Sequence, residues 1–160
     1  MRLHRRRATP RSDMHWTWLR FADLGVDNLY DALALRSRVF VLEQGPFLDP
    51  DGCDRASWHL LGREAGGILQ AYLRVVDPGC KYVEPSIGRV VTAPEVRRRG
   101  LGRRLVAEGL ARCTAAHPGR AIRISAQARL ERFYGDFGFV RTGADYPEDG
   151  IAHVQMLRPA

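Results

Sequence analysis

Several residue patterns are scarce in this chain of 160 residues, and each scarcity removes a class of protein. No apolar run approaches the roughly 20 residues that span a bilayer, so neither a membrane helix nor a membrane partner is expected. The basic start (Arg2, Arg5, Arg6, Arg7 and Arg11) has no signal-type apolar segment behind it, which points away from secretion and toward the cytoplasm. Cysteine is confined to Cys53, Cys80 and Cys113, an odd count without framework spacing, as in a reducing compartment. Cys113 falls on the apolar face of an expected helix and reads as core. Lysine is scarcer still. Lys81 is the single one among 25 lysines and arginines, so a G-x-x-x-x-G-K-[ST] phosphate loop is absent. His15, His59, His117 and His153 are scattered without paired ligand spacing, and no metal is expected. Ser125 has neither an elbow glycine pattern nor a coherent triad, which sets nucleophilic catalysis aside.

What is present is ordinary in proportion: 45% apolar and 27% charged residues, enough for one domain to bury a core without staples. The net charge of +7 divides unevenly, with +4 in residues 1–13 and +3 in residues 14–160. Residues 1–13 read as a basic, unfolded extension, and Met14 is an alternative start. Residues 14–160 read as a single domain. Charge concentrated in a tail is weak support for a nucleic-acid partner, and none is expected.

Periodicity outlines a mixed α/β chain around one sheet. Residues 15–21 read as a strand, with Trp16 and Trp18 alternating against Thr17, Leu19 and Phe21. Gly25-Val26-Asp27 turns the chain, with Asp27 as the expected cap of a helix reaching Phe40. Residues 58–63 and 68–76 flank Glu64-Ala65-Gly66-Gly67 as a hairpin. Residues 86–92 form the next strand. Leu101, Leu105, Leu110 and Cys113 then recur near a period of 3.6 until His117-Pro118-Gly119 stops the helix. A strand over 121–125, a helix over 129–137, and strands over 140–146 and 151–157 complete the order β-α-β-β-β-α-β-α-β-β.

Arg97-Arg98-Arg99-Gly100-Leu101-Gly102 stands between the strand ending at Thr92 and that long helix. A helix leaves its first backbone N–H groups unpaired and carries partial positive charge there. Glycines let an anion approach, so the N–H groups of Arg98 to Arg103 form a candidate pyrophosphate cradle. Alone, the pattern is a weak signal and fits a solvated arginine loop better. The dinucleotide fingerprint G-x-G-x-x-G is missing.

Taken with Phe133-Tyr134 and Phe137-Gly138-Phe139 downstream, Arg97-x-x-Gly100-x-Gly102 resembles the GNAT N-acetyltransferase superfamily across residues 14–158. Arg36-x-x-Val39-Phe40-Val41-x-Glu43-Gln44, Ile87-Gly88-Arg89-Val90, Ala126-Gln127-Ala128 and Glu148-Asp149-Gly150-Ile151-x-His153 are similar to its ElaA-like branch. The resemblance implies a mostly antiparallel sheet, splayed between two central strands, with helices on both faces. It implies acetyl-CoA as co-substrate, with Val90, Val91 and Thr92 along the pantetheine arm and Arg98, Arg99, Gly100, Leu101, Gly102 and Arg103 around the pyrophosphate. Gln127 stands where many members carry a cofactor-contacting asparagine, and Tyr134 matches the general acid.

Chemistry supports Tyr134 separately, because a neutral phenol within reach can protonate a departing thiolate. The backbone N–H of Val91 is a candidate donor to the thioester carbonyl. The base stays open. The fifth strand offers Ile122 and Ile124, the matching fourth-strand position is Ser86, and the candidates are Glu84, Glu43, His153 or a water chain. Asp49-x-Asp51-Gly52-x-Asp54 lacks the glycine and twelfth ligand of a calcium loop and reads as an acidic turn at the acceptor mouth, attracting an amine. The expected activity is direct acetyl transfer in a ternary complex, to a small amine or a protein amino group, with a homodimer left open. An acyl-homoserine-lactone-synthase-like reaction and a non-catalytic coenzyme A-binding module are the alternatives.

Overall fold

Strand β3 (Leu69–Val76) is buried along its whole length, which requires cover on both faces of the sheet. The computed structural model of the chain describes residues 13–160, and the cover comes from two helices. Helix α1 (Gly25–Arg36) lies on the face bearing Tyr72 and Arg74, with the Arg36 guanidinium over the Tyr72 ring. Helix α2 (Leu101–Ala116) lies on the other face, where a Cβ on Gly109 would stand 2.5 Å from a Leu73 methyl carbon. The extension expected over residues 1–13 falls, apart from Asp13, outside the described residues.

The sheet has eight strands in the order β1-β2-β3-β4-β5-β8-β6, with β7 also paired to β8. These are β1 (His15–Arg20), β2 (Ser57–Arg63), β4 (Ser86–Thr92), β5 (Ile122–Gln127), β6 (Val140–Arg141), β7 (Tyr146–Glu148) and β8 (Ile151–Arg158). All pairs are antiparallel except β4 with β5. The core is one cluster, with Leu60, Leu61, Leu73, Leu105, Val106 and Met156 almost fully buried.

Several elements are shorter than their periodicity suggests. The helix expected to reach Phe40 ends as α-helix at Arg36 and continues as a π-type turn over Ser37–Val41. Asp27 sits in its first turn rather than capping it. The helix expected over 129–137 is a 3-10 turn (Ala128–Leu130) followed by the brief α3 (Glu131–Gly135). The strand expected over 140–146 breaks into β6 and β7, because Arg141 turns back to the Gly143 carbonyl and the Asp145 carboxylate. Asp149 and Gly150, both at positive φ, then make a two-residue hairpin turn between β7 and β8.

Candidate active site

Two irregularities in β4 open the sheet. Strands β4 and β5 pair at a single position, Ser86 with Arg123, and then diverge. On its other edge, β4 places Arg89 and Val90 opposite the lone Leu73 of β3, a β-bulge with Arg89 at φ 53°. A bulge bends its strand and leaves the extra residue out of the ladder. Between the diverging strands lies a cleft of about 390 Å³. Val90, Val91 and Thr92 line one wall, Ser125, Ala126 and Gln127 the other, and Tyr134 and His153 also face it.

The bulge is held by ion pairs that no local pattern announces. Arg89 Nε donates to Asp49 (2.8 Å), and Arg36 Nε takes the other oxygen of the same carboxylate at 2.8 Å. Asp54 accepts from Arg36 Nη1 at 2.7 Å and from Arg74 Nη1 at 2.9 Å, and Asp51 also accepts from Arg74. Arg36 and Arg74 are each 1% exposed, so these carboxylates neutralise charge within the fold. Desolvation opposes ionisation of Asp51 most strongly, but hydrogen bonding and charge attraction from Arg74, joined by the Cys53 N–H and Arg89, together outweigh it and keep the carboxyl below its usual range. The acidic turn is therefore a structural clamp joining α1, β3 and β4, and its charge is spent on arginines rather than offered to an amine.

Helix α2 starts from Gly100 at φ 77°, after Arg98 at φ 63°. Arg104 N–H bonds the Gly100 carbonyl at 3.2 Å, so the N–H groups one turn earlier have no helical acceptor. Outside the flanking residues and the helix's own backbone, a Cβ at Gly102 would meet no atom within 4 Å, leaving open space above them. Arg97 lines the cleft, while Arg98 to Arg103 lie beyond it at the helix end. This geometry fits a ligand with a slender arm in the cleft and phosphates at the helix.

A search against family models matches residues 58–158 to the acetyltransferase (GNAT) domain. This chain belongs to the GNAT acetyltransferase family. Protein sll0451 of Synechocystis (UPF0039) is 43% identical over 91% of this chain and 95% of its own length. Among solved structures, an acyl-CoA N-acyltransferase from Pseudomonas aeruginosa superposes at a TM-score of 0.87 with 38% identity, covering 91% of this chain and 99% of that one. Escherichia coli ElaA superposes at 0.85 with 36% identity, with the same coverages. The resemblance read from the motifs is thus the family to which the chain belongs, and the splayed mixed sheet is the GNAT fold.

Within this GNAT cleft the expected site residues separate. Tyr134 is buried, and burial alone pushes its phenol up to about 12. Gln127 lines the wall with its side chain already engaged, Nε2 to Gln44 at 3.1 Å and Oε1 from Arg129 at 3.0 Å. Glu43 reaches the cleft, but Arg97 holds both its oxygens at 2.8 and 3.0 Å. Glu84 is absent from the cleft lining. Its two hydrogen bonds with Arg123 (2.9 Å each) hold it down at about 2, unsuited to taking a proton at neutral pH. The sequence reading overlooked Ser125, Tyr146, Glu148 and Gln155 as a site. Alternation does place Ser125 with Gln127 and His153 with Gln155, but the pairings Ser125–Gln155 and Gln127–His153 come from strand register.

Proposed function

We propose that this GNAT protein transfers the acetyl group of acetyl-CoA to an amine by direct attack, both reactants being held together in the cleft. The observation that carries this reading is the parting of β4 and β5 after one residue pair, with Tyr134 on the wall and a glycine-opened helix start beyond. Bound acetyl-CoA supplies an activated thioester. Val90, Val91 and Thr92 offer backbone groups to its arm, and the N–H groups from Arg98 to Arg103 take the pyrophosphate with the arginines adding cationic reach. Gln127 borders the arm, and a backbone N–H of β4 beside the bulge is the donor for the carbonyl oxygen.

Tyr134 is the proton donor to sulfur. A phenol at about 12 stays neutral throughout the physiological range and always carries its proton. A free thiol ionises near 8.5, which would make transfer from such a phenol uphill by about 4 to 5 kcal/mol. A buried thiolate is a stronger base than that. Desolvation in the cleft raises the thiolate's basicity toward that of the phenol and narrows this gap. Positioning of the two reactants supplies most of the remaining rate.

Calorimetric titration with acetyl-CoA, dephospho-CoA and an acyl-carrier-protein donor tests the donor half, followed by thiol release with a panel of amines. Micromolar binding of acetyl-CoA and amine-dependent thiol release are expected. Preference for the carrier-protein donor would overturn the reading in favour of a synthase-like reaction. Tight binding without turnover of any amine would favour a coenzyme A-binding module.

A further inference from the structure

Arginines claim nearly every carboxylate around the site. They hold Asp49, Asp51, Asp54, Glu84 and Asp136 in ion pairs. Three carboxylates line the cleft itself, Glu43, Glu148 and Asp149, and Arg97 takes the first. Glu148 has no arginine or lysine partner among the described residues; its ion-pair neighbour is His153, with Nε2 3.7 Å from Oε2.

Glu148 is instead the end of a chain of donors. Gln155 Nε2 donates to the Tyr146 hydroxyl at 2.8 Å and to the Tyr82 hydroxyl at 3.0 Å. Tyr146 and Ser125 share a hydrogen bond, and Ser125 Oγ donates to Glu148 Oε2 at 2.7 Å. An amide N–H only donates and a carboxylate only accepts, so the protons run from Gln155 toward Glu148. The chain keeps Glu148 as an acceptor and fixes its place.

The same logic settles the imidazole. His153 Nδ1 lies 2.8 Å from the Ile151 carbonyl oxygen, which can only accept. Nδ1 therefore carries the hydrogen, and the neutral ring presents the Nε2 lone pair toward Glu148. A separation of 3.7 Å is too long for a hydrogen bond between the two. One ammonium nitrogen standing about 2.9 Å from each atom would bridge them. Both side chains retain solvent access, 14% for His153 and 36% for Glu148.

We propose that Glu148 and His153 are the amine-receiving and proton-accepting pair of this protein, and that its acceptor is a cationic primary amine. This rests on the acetyl-transfer reading above. Glu148 binds the ammonium and His153 Nε2 takes one of its protons, freeing the nitrogen lone pair. The nitrogen then forms the amide C–N bond as the C–S bond breaks. The second proton leaving the nitrogen replaces the one that Tyr134 gives to sulfur, so the phenol is restored and an amide and a thiol result. The proton on His153 leaves to solvent past the half-exposed Glu148. The titratable and charged neighbours of the pair are Tyr146 and Asp149 on the hairpin and Tyr82 beside Glu148, with Arg74, Lys81, Arg89, Arg129, Tyr134 and the Glu43–Arg97 pair on the same cleft.

The decisive experiment needs no acyl donor. Phenethylamine and n-butylamine, each beside its alcohol analogue, are titrated into the free protein and into its coenzyme A complex, following the His153 imidazole resonances. The amines should shift those signals and bind at least tenfold more tightly than the alcohols. Glu148→Gln should remove that tenfold preference while acetyl-CoA affinity stays unchanged, and Glu148→Asp, which keeps the charge, should restore it. With any amine that is turned over, Glu148→Gln should act mainly on KM. His153→Asn should lower kcat at least 100-fold. Equal binding of amines and alcohols, no amine binding at all, or an unaltered preference in Glu148→Gln overturns the pair. Failure to bind acetyl-CoA, with the amine titration intact, overturns the donor reading instead.

Discussion

A methyl group at Gly102 should move stability and donor affinity in opposite directions. Outside the flanking residues and the helix's own backbone, no atom lies within 4 Å of the Cβ that Gly102→Ala would add, so the free protein can accept it. Alanine is the better helix former by up to about 1 kcal/mol, and less in a first turn, so the substitution should leave Tm unchanged or raise it by a few degrees. The same methyl would occupy the space through which phosphate oxygens reach the helix-start N–H groups. A hydrogen bond to a charged partner contributes about 1.5–3 kcal/mol, so displacing one weakens acetyl-CoA binding roughly 10- to 100-fold. Gly109→Ala is the counter-case on the same helix. Its Cβ would meet Leu73 methyl carbons at 2.5 and 3.1 Å, which should lower stability by about 1–3 kcal/mol and leave donor affinity intact. Gly100 is a poor probe, because its φ of 77° strains any side chain whether or not a ligand binds. Calorimetry with acetyl-CoA and thermal unfolding of the free protein give both numbers for each variant. Wild-type affinity in Gly102→Ala, or a stability loss equal to that of Gly109→Ala, would refute the cradle.

Four further outcomes follow from the same geometry. Tyr134→Phe should leave acetyl-CoA affinity nearly unchanged and cut kcat by roughly 10²- to 10⁴-fold; undiminished turnover removes Tyr134 from the chemistry. Asp54→Ala leaves Arg36 and Arg74 short of a buried partner and should cost about 3–5 kcal/mol, whereas Asp31→Ala breaks a half-exposed pair with Arg63 and should cost under about 1 kcal/mol. Coincident urea midpoints for those two variants would contradict the clamp. His59 is held below its usual range by desolvation, between the Tyr72 hydroxyl and the Asp54 carbonyl. Folding thus favours the neutral ring, so its contribution is complete above about pH 6.5 and is lost as pH falls below that value. Denaturation at pH 5 and 7.5 should show the difference, and His59→Gln should reduce it. With a thiol reagent, exposed Cys80 should react first, Cys53, half-buried and pushed up by desolvation, more slowly, and Cys113, buried and pushed up to about 12, only on unfolding; three equal rates would contradict its burial.

Much of the fold was legible because it depends on local pattern. The boundaries of β4, the start and stop of α2 and the β2–β3 hairpin follow from breakers and periodicity within a dozen residues. The glycine-opened start of α2 and the place of Tyr134 in a short helix were legible for the same reason, since each is a short motif at an element end. Expectations failed where continuation depends on neighbours. The first helix changes to a π-type turn at Ser37, and the strand over 140–146 breaks where Arg141 finds side-chain and backbone partners.

Charge was the least legible property. Asp49, Asp51 and Asp54 read as a negative turn facing a substrate, yet three arginines from α1, β3 and β4 neutralise them. Glu43 and Glu84 read as candidate bases, and each is held by one arginine brought from more than 35 residues away. Glu148, embedded in a turn-like run, is the cleft carboxylate with a histidine rather than an arginine beside it. By itself the sequence determined most of the strands and helices, where a glycine-opened helix start lies, and which family the chain resembles, because these depend on neighbours along the chain. Only the tertiary structure decided which carboxylates are neutralised and which pair faces the cleft. An ion pair depends on a few ångströms of separation across strands, and that separation is set by sheet register and a single bulge.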